Sequence, residues 1–344
     1  MSARSSRRVI TVQYLRRLPA AAHVLVVLII VLAFVAPRFL TIGNLTNVAR
    51  NAAILALAAC GQAIIIITGG IDFSSGSAVA LVSVVMVLTV SSLNFPVALA
   101  AGVLAALAVG VVNGALVARF EIPPFLATLG TLTAAHGLAS VLVGGIPLEA
   151  PPGAGFSWMG RGSVAGIPAP VVFGALAFLI LEILLRWTIL GRFWFLIGAS
   201  PNAARAAGVP GRSATFWAYV VGSAFVATAG LVLTARVNSG QPNLYPSLPF
   251  EAIAACAIGG LPLTGGSGRA VQVLMGVLIV AALENGLRLL NFSSDIQLMF
   301  IGVLTVLSVL LQTVSWRPRG WRPGNATGMP APPRGPVAMV EKAR

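Results

Sequence analysis

The chain runs to 344 residues, 58% of them hydrophobic and only 9% charged, where a soluble domain carries about a quarter charged residues. Apolar stretches of ~18 residues or more, each able to cross ~30 Å of hydrocarbon, recur along its length; they exclude a soluble globular domain and predict an all-α polytopic membrane protein. The formal net charge of +14 does not point to nucleic acid, because the basic residues gather in tails and short loops without interleaved aromatic residues.

Residues 1–19 form a basic segment that carries Arg16 and Arg17 just before the first apolar run. With further spans downstream, this start reads as an uncleaved signal-anchor. Candidate spans lie at 20–36, 47–68, 76–92, 96–118, 124–144, 170–189, 214–235, 248–261, 271–290 and 296–314, about ten transmembrane helices within a membrane domain over 20–314. The eighth is short and fits either a full span or a re-entrant segment. With the N-terminus inside, inside segments hold 17 basic residues and outside segments 5, namely Arg38, Arg50, Arg161, Arg236 and Arg288. That is the bias of the positive-inside rule, so both termini are expected in the cytoplasm. Residues 149–170 make the longest outside loop. Residues 315–344, rich in Pro, Gly and Arg, are expected to be a disordered cytoplasmic tail. Asn-Gly pairs at 113–114 and 285–286 sit near the ends of spans that run in opposite directions, a weak echo that points to inverted repeats of spans 2–5 and 7–10.

Little here can do covalent chemistry. Cys60 and Cys256 lie inside apolar runs and read as small buried hydrophobes. His23 and His136 are the only histidines, too few for a metal cluster, so no metal site and no catalytic residue is expected. Lys342 is the only lysine, which rules out a GxxxxGK(S/T) phosphate loop.

Three stretches stand out. In "ITGGIDFSSGS" (67–77), the glycines permit a break in the helix, and Asp72 either lines a polar pathway or, with Ser74 as the other candidate, caps the next span. In "GASPNAARAAGVPGR" (198–212), Ser200 suits an N-cap, Pro201 the first turn and Gly208 the stop of a short surface helix with Arg205 exposed. Such a helix is too short to be stable alone, so it either packs against the membrane or docks on a cytoplasmic partner. The third, "EAIAACAIGGLPLTGGSGRA" (251–270), is a flexible turn or a broken segment lining a cavity. Gln62, Asn113, Thr128, Thr131 and Asn285 add uncharged polar groups to spans, fit for helix–helix contacts or for a pathway. Glu182 can pair with Arg186 at i,i+4.

In combination these residues resemble the ribose/monosaccharide-type ABC transporter permeases, bacterial inner-membrane proteins. "GQAIIIITGGIDFSSGSAVAL" (61–81) looks like their Gly-Ile-Asp-Leu-Ser-x-Gly-Ser signature, with Phe73 in place of Leu. "PPFLATLGTLTAAHGLA" (123–139), "IGASPNAARAAGV" (197–209) and "EAIAACAIGGLPLTGGSG" (251–268) match three further motifs in the family's order. "LYPSLPFE" (244–251) and "GSGRAVQVLMG" (266–276) depart from it. The resemblance implies a multi-pass subunit in the bacterial inner membrane, paired with a second permease copy. It further implies separate ATPase subunits that carry the ATP and Mg, and a periplasmic binding protein that delivers a sugar. It casts Gln62, Asp72, Ser74, Asn113, Thr128, Thr131, Glu251 and Asn285 as pathway candidates, and Ser200, Asn202, Arg205 and Gly208 as the coupling segment (199–208). A superfamily permease for branched-chain amino acids or nucleosides is the nearest rival. An ion-coupled secondary transporter lacks a proton or sodium relay, and an intramembrane serine protease lacks anything to orient His136.

Overall fold

The computed structural model describes residues 20–315; the expected basic segment 1–19 and all but the first residue of the expected tail 315–344 lie outside the described residues. Thirteen α-helices follow in chain order: α1 (Ala20–Val35), α2 (Ile42–Ile67), α3 (Ser75–Ser92), α4 (Phe95–Ala118), α5 (Pro124–Leu142), α6 (Ser157–Arg161), α7 (Ala169–Trp187), α8 (Ile189–Ala199), α9 (Pro201–Ala206), α10 (Gly211–Val237), α11 (Leu248–Ile258), α12 (Ala270–Leu289) and α13 (Ser294–Ser315). Two antiparallel two-residue ladders complete the fold. β1 (Leu148–Glu149) pairs with β4 (Ser239–Gly240), and β2 (Ser163–Val164) pairs with β3 (Ile167–Pro168).

Eight helices are long and apolar enough to cross a membrane: α2, α3, α4, α5, α7, α10, α12 and α13. The chain is an all-α polytopic membrane protein. Two of the ten expected spans are shorter. Helix α1 has 16 residues over its described length. Helix α11 has 11, roughly 16 Å of rise, about half the hydrocarbon thickness. Gly259, and Gly260 at φ +93°, end it ahead of Pro262, so the helical part of the segment expected at 248–261 is too short to cross by itself.

Helix α2 is the axis of the molecule. Its residues 52–67 are all buried, and α7, α8, α10, α11 and α12 pack around it. Helices α4, α5, α7 and α13 instead present Leu104, Phe125, Ile180 and Leu311 outwards, as lipid-facing helices do. Helices α2 and α10 lie antiparallel. Asn51 meets Arg236 at one end, Tyr219 lies over Gly70 at the other, and between them Gly61 faces Gly222 so closely that a Cβ on Gly61 would fall 2.5 Å from the Gly222 carbonyl oxygen. These are the first helices of the two halves in which inverted repeats are expected.

Candidate functional site

The stretch 68–74 joins α2 to α3 in the interior. Gly69, at φ +94°, closes α2, with the Gly69 and Gly70 N–H groups donating back to Ile66 and Ile65 in the paired pattern that satisfies orphan carbonyls. The chain then turns at Asp72. Its Oδ1 accepts from the Ser74 N–H at 2.7 Å and from the Ser74 hydroxyl at 2.6 Å. The Gln62 amide, with its nitrogen towards the Asp72 carbonyl and its oxygen towards the Asp72 N–H, bonds both at 3.0 and 3.2 Å. Asn113 donates to the Ser74 hydroxyl at 2.8 Å, and Thr131 donates to Asn113 Oδ1 at 2.6 Å. Thr128 reaches the Ile71 carbonyl at 3.3 Å.

Six of the eight residues singled out as pathway candidates, Gln62, Asp72, Ser74, Asn113, Thr128 and Thr131, therefore form one buried system joining α2, α3, α4 and α5. Asp72 is the group that receives a free N–H at the start of α3. The Ser74 hydroxyl bonds side chains instead and accepts from no helix N–H. Beside them, the Tyr219 phenol and the Ser75 hydroxyl are buried without a hydrogen-bond partner among the described residues. Tyr219 is eight residues into α10, which puts this system about 12 Å inside the end that carries α9. His136 Nδ1 lies 3.2 Å from the Pro242 carbonyl, and neither Ser74 nor Ser75 bonds it.

At that end the short surface helix forms as its caps predict. The Ser200 hydroxyl accepts from the Ala203 N–H at 3.3 Å, Pro201 opens α9, and Gly208 at φ +73° closes it with Val209 bonded back to Ala204. Asn202 and Arg205 are exposed. A cleft of about 540 Å³ separates α9 from the loop after α4. Across it, Arg212 pairs with Glu121 at 2.7 Å, and this hydrogen bond and charge hold the Glu121 carboxyl below the usual range.

The opposite end of α10, roughly 40 Å away along the helix, borders a second polar site. A cavity of about 440 Å³ is lined by Glu251, Glu284, Arg236, Arg288, Gln241 and Gln297, with Tyr245 and Ser247 at its side. Glu251 accepts from the Tyr245 and Ser247 hydroxyls, and Glu284 lies against it. Arg236 donates to Asn51 Oδ1 at 2.6 Å. Phe73, next to Asp72, packs on Phe250, next to Glu251, with ring centroids 5.8 Å apart.

Residues 44–309 match the family described as branched-chain amino acid transport system / permease component. The chain belongs to this permease family. It is 38% identical over 289 residues to a ribose import permease protein of Bacillus subtilis (strain 168), covering 83% of this chain and 90% of the relative. It is 35% identical over 295 residues to a ribose import permease protein of Escherichia coli (strain K12), covering 83% and 91%. A galactofuranose transporter permease protein of the same strain is 31% identical over 314 residues, 86% and 91% of the two chains. No solved structure matches the chain significantly.

In this permease the two remaining pathway candidates part from the buried system. Asn285 makes a reciprocal amide pair with Asn44 at 2.8 and 2.9 Å, binding the start of α2 to α12. Glu251 belongs to the cavity at the far end of α10. Arg236, Tyr245, Glu284 and Arg288 are the residues that sequence reasoning missed. Glu284 directly precedes the Asn-Gly pair that drew notice, but with Arg288 at i+4 it looks like an ordinary surface pair.

Proposed function

We propose that this permease is the membrane-spanning subunit of an ATP-driven importer for a monosaccharide or related polyol. One observation carries the reading: the buried system around Asp72 is made of amides and hydroxyls, with no cation bonded to it among the described residues. Hydroxyl-rich neutral solutes exchange bonds with such groups, whereas the rival reading, a zwitterionic amino acid, calls for a fixed opposite charge beside the carboxylate. The relatives named for ribose import and galactofuranose transport support the same side.

In this reading Gln62, Asp72, Ser74, Asn113, Thr128 and Thr131 border the pathway, and Glu251 lies on its approach. Ser200, Asn202, Arg205 and Gly208 form the docking surface for a separate ATPase, which holds the ATP and Mg. The end bearing α9 faces the cytoplasm, with both termini there, and the opposite end faces a sugar-loaded binding protein in the periplasm of a bacterial inner membrane. A second permease copy completes the assembly. The test is uptake of labelled D-ribose and D-galactose by a host lacking its own sugar importers, expressing this chain with its ATPase and binding protein. Sugar uptake that stops without the ATPase is the expected result. Uptake of leucine but of no sugar would favour the branched-chain amino acid reading, and ATP-independent uptake in liposomes holding this chain alone would overturn the ATP-driven reading.

A further inference from the structure

We infer that the cavity between α2, α10, α11, α12 and α13 is a solute-binding subsite inside a single copy of the permease, built for a neutral polyhydroxylated ring. The inference rests on the importer reading above and deepens it by naming where solute pauses after it enters. The lining alternates donors and acceptors: guanidinium groups from Arg236 and Arg288, carboxyl groups from Glu251 and Glu284, and amides from Gln241 and Gln297. Neither guanidinium forms an ion pair among the described residues; Arg236 spends one N–H on Asn51, which leaves its other N–H groups and the Arg288 fork to face a ligand. Glu251 and Glu284 hydrogen-bond to each other, which requires a proton between them, so the carboxyl pair carries one negative charge against the two guanidinium groups and no strongly acidic patch lines the wall. Planar forks of this kind match the spacing of adjacent ring hydroxyls, each fork bonding two at once.

The shape agrees with that chemistry. A volume of about 440 Å³ falls in the usual range for small-molecule sites. Leu233, Leu298 and Ile301 supply an apolar patch for the C–H face of a sugar ring. Glu251 is held from behind by the Tyr245 and Ser247 hydroxyls, and Arg236 by Asn51, so these walls are pre-positioned. The Phe73–Phe250 contact joins the segment that carries Glu251 to the one that carries Asp72, so the subsite and the Asp72 system are tied by a side-chain contact.

The experiment uses the purified full chain in lipid nanodiscs, with D-ribose, D-galactose and L-leucine as probes in saturation-transfer difference NMR. A sugar should bind to the native chain and leucine should not. Loss of one charged hydrogen-bonding group should weaken sugar binding about tenfold in Arg288→Gln and in Glu284→Gln, with the thermal midpoint of each variant reporting folding. Arg288 is exposed, so its variant decides the matter if Glu284→Gln does not fold. Undiminished binding in Arg288→Gln, binding of leucine alone, or no sugar bound by the native chain would each overturn the subsite. Sugar uptake in whole cells separates the two readings: if uptake persists while any of those results is found, only the subsite falls, and if no sugar is imported the importer reading falls with it.

Discussion

At the scale of single residues, Asp72 shows how a carboxyl group is kept inside an apolar bundle. One oxygen receives two short hydrogen bonds from Ser74, and Gln62 satisfies the Asp72 backbone. The geometry separates two substitutions. Asp72→Asn keeps an oxygen in place of Oδ1 and should leave the thermal midpoint near that of the native chain. Asp72→Ala removes the acceptor, leaves the Ser74 N–H buried and unpaired, and should cost about 1–3 kcal/mol in detergent unfolding experiments. Equal destabilisation by both would show that charge matters here and not the cap. The convergence of six polar residues was legible because a polar group in an apolar span needs a partner and these were the few on offer. Nothing in a linear sequence says which span faces which. Asn285 therefore looked like a pathway group although Asn44 claims it, and Glu284 looked like a surface residue although it borders a cavity.

At the scale of elements, turn chemistry was the most legible signal. Ser200, Pro201 and Gly208 marked the start and stop of α9, and the helix is bounded at those positions. The pair predicted between Glu182 and Arg186 is present at 2.5 Å. The glycine-rich run 259–269 was harder, because glycine permits both a loose hinge and a tight approach. It is the second. A Cβ at Gly266, whose φ is +76°, would lie 2.5 Å from the Ala199 Cα, and its N–H bonds the Ile67 carbonyl at 2.9 Å. Gly208 has the same left-handed backbone, yet a Cβ there meets nothing within 4 Å. Gly208→Ala should thus cost only the backbone term, about 1–2 kcal/mol, and appear as faster amide exchange confined to 201–208. Gly266→Ala adds a backbone clash to that term and should lower the thermal midpoint more. Indistinguishable midpoints for the two would refute the tight packing at Gly266.

At the scale of the whole molecule, hydropathy showed that the chain is a helical bundle, and charge bias gives the orientation it is proposed to take. Neither decided between the full span and the broken segment that 248–261 allowed, because a summed hydropathy does not register where Gly259 and Gly260 end α11. That short helix hands the chain to the run at 259–269, and there three backbones meet: the end of α2 at Ile67, the end of α8 at Ala199 and the turn at Gly266. Ala199 directly precedes Ser200 of the docking helix, while Ile67 directly precedes the break that carries Asp72. If an ATPase docks on α9 as proposed, a displacement of α9 would be delivered to the turn beneath Asp72 through packed backbone, which transmits strain because it has no room to absorb it. Prying that junction apart should uncouple the two faces. Gly266→Ala should insert in the membrane and bind its ATPase, yet lose most of the solute-stimulated ATP hydrolysis, while Gly208→Ala keeps more of it. Arg205→Ala, which alters only the exposed docking face, should weaken ATPase binding itself. Measuring ATPase binding and stimulated hydrolysis side by side in the three variants checks the route, and full stimulation in Gly266→Ala would mean that the motion reaches Asp72 some other way.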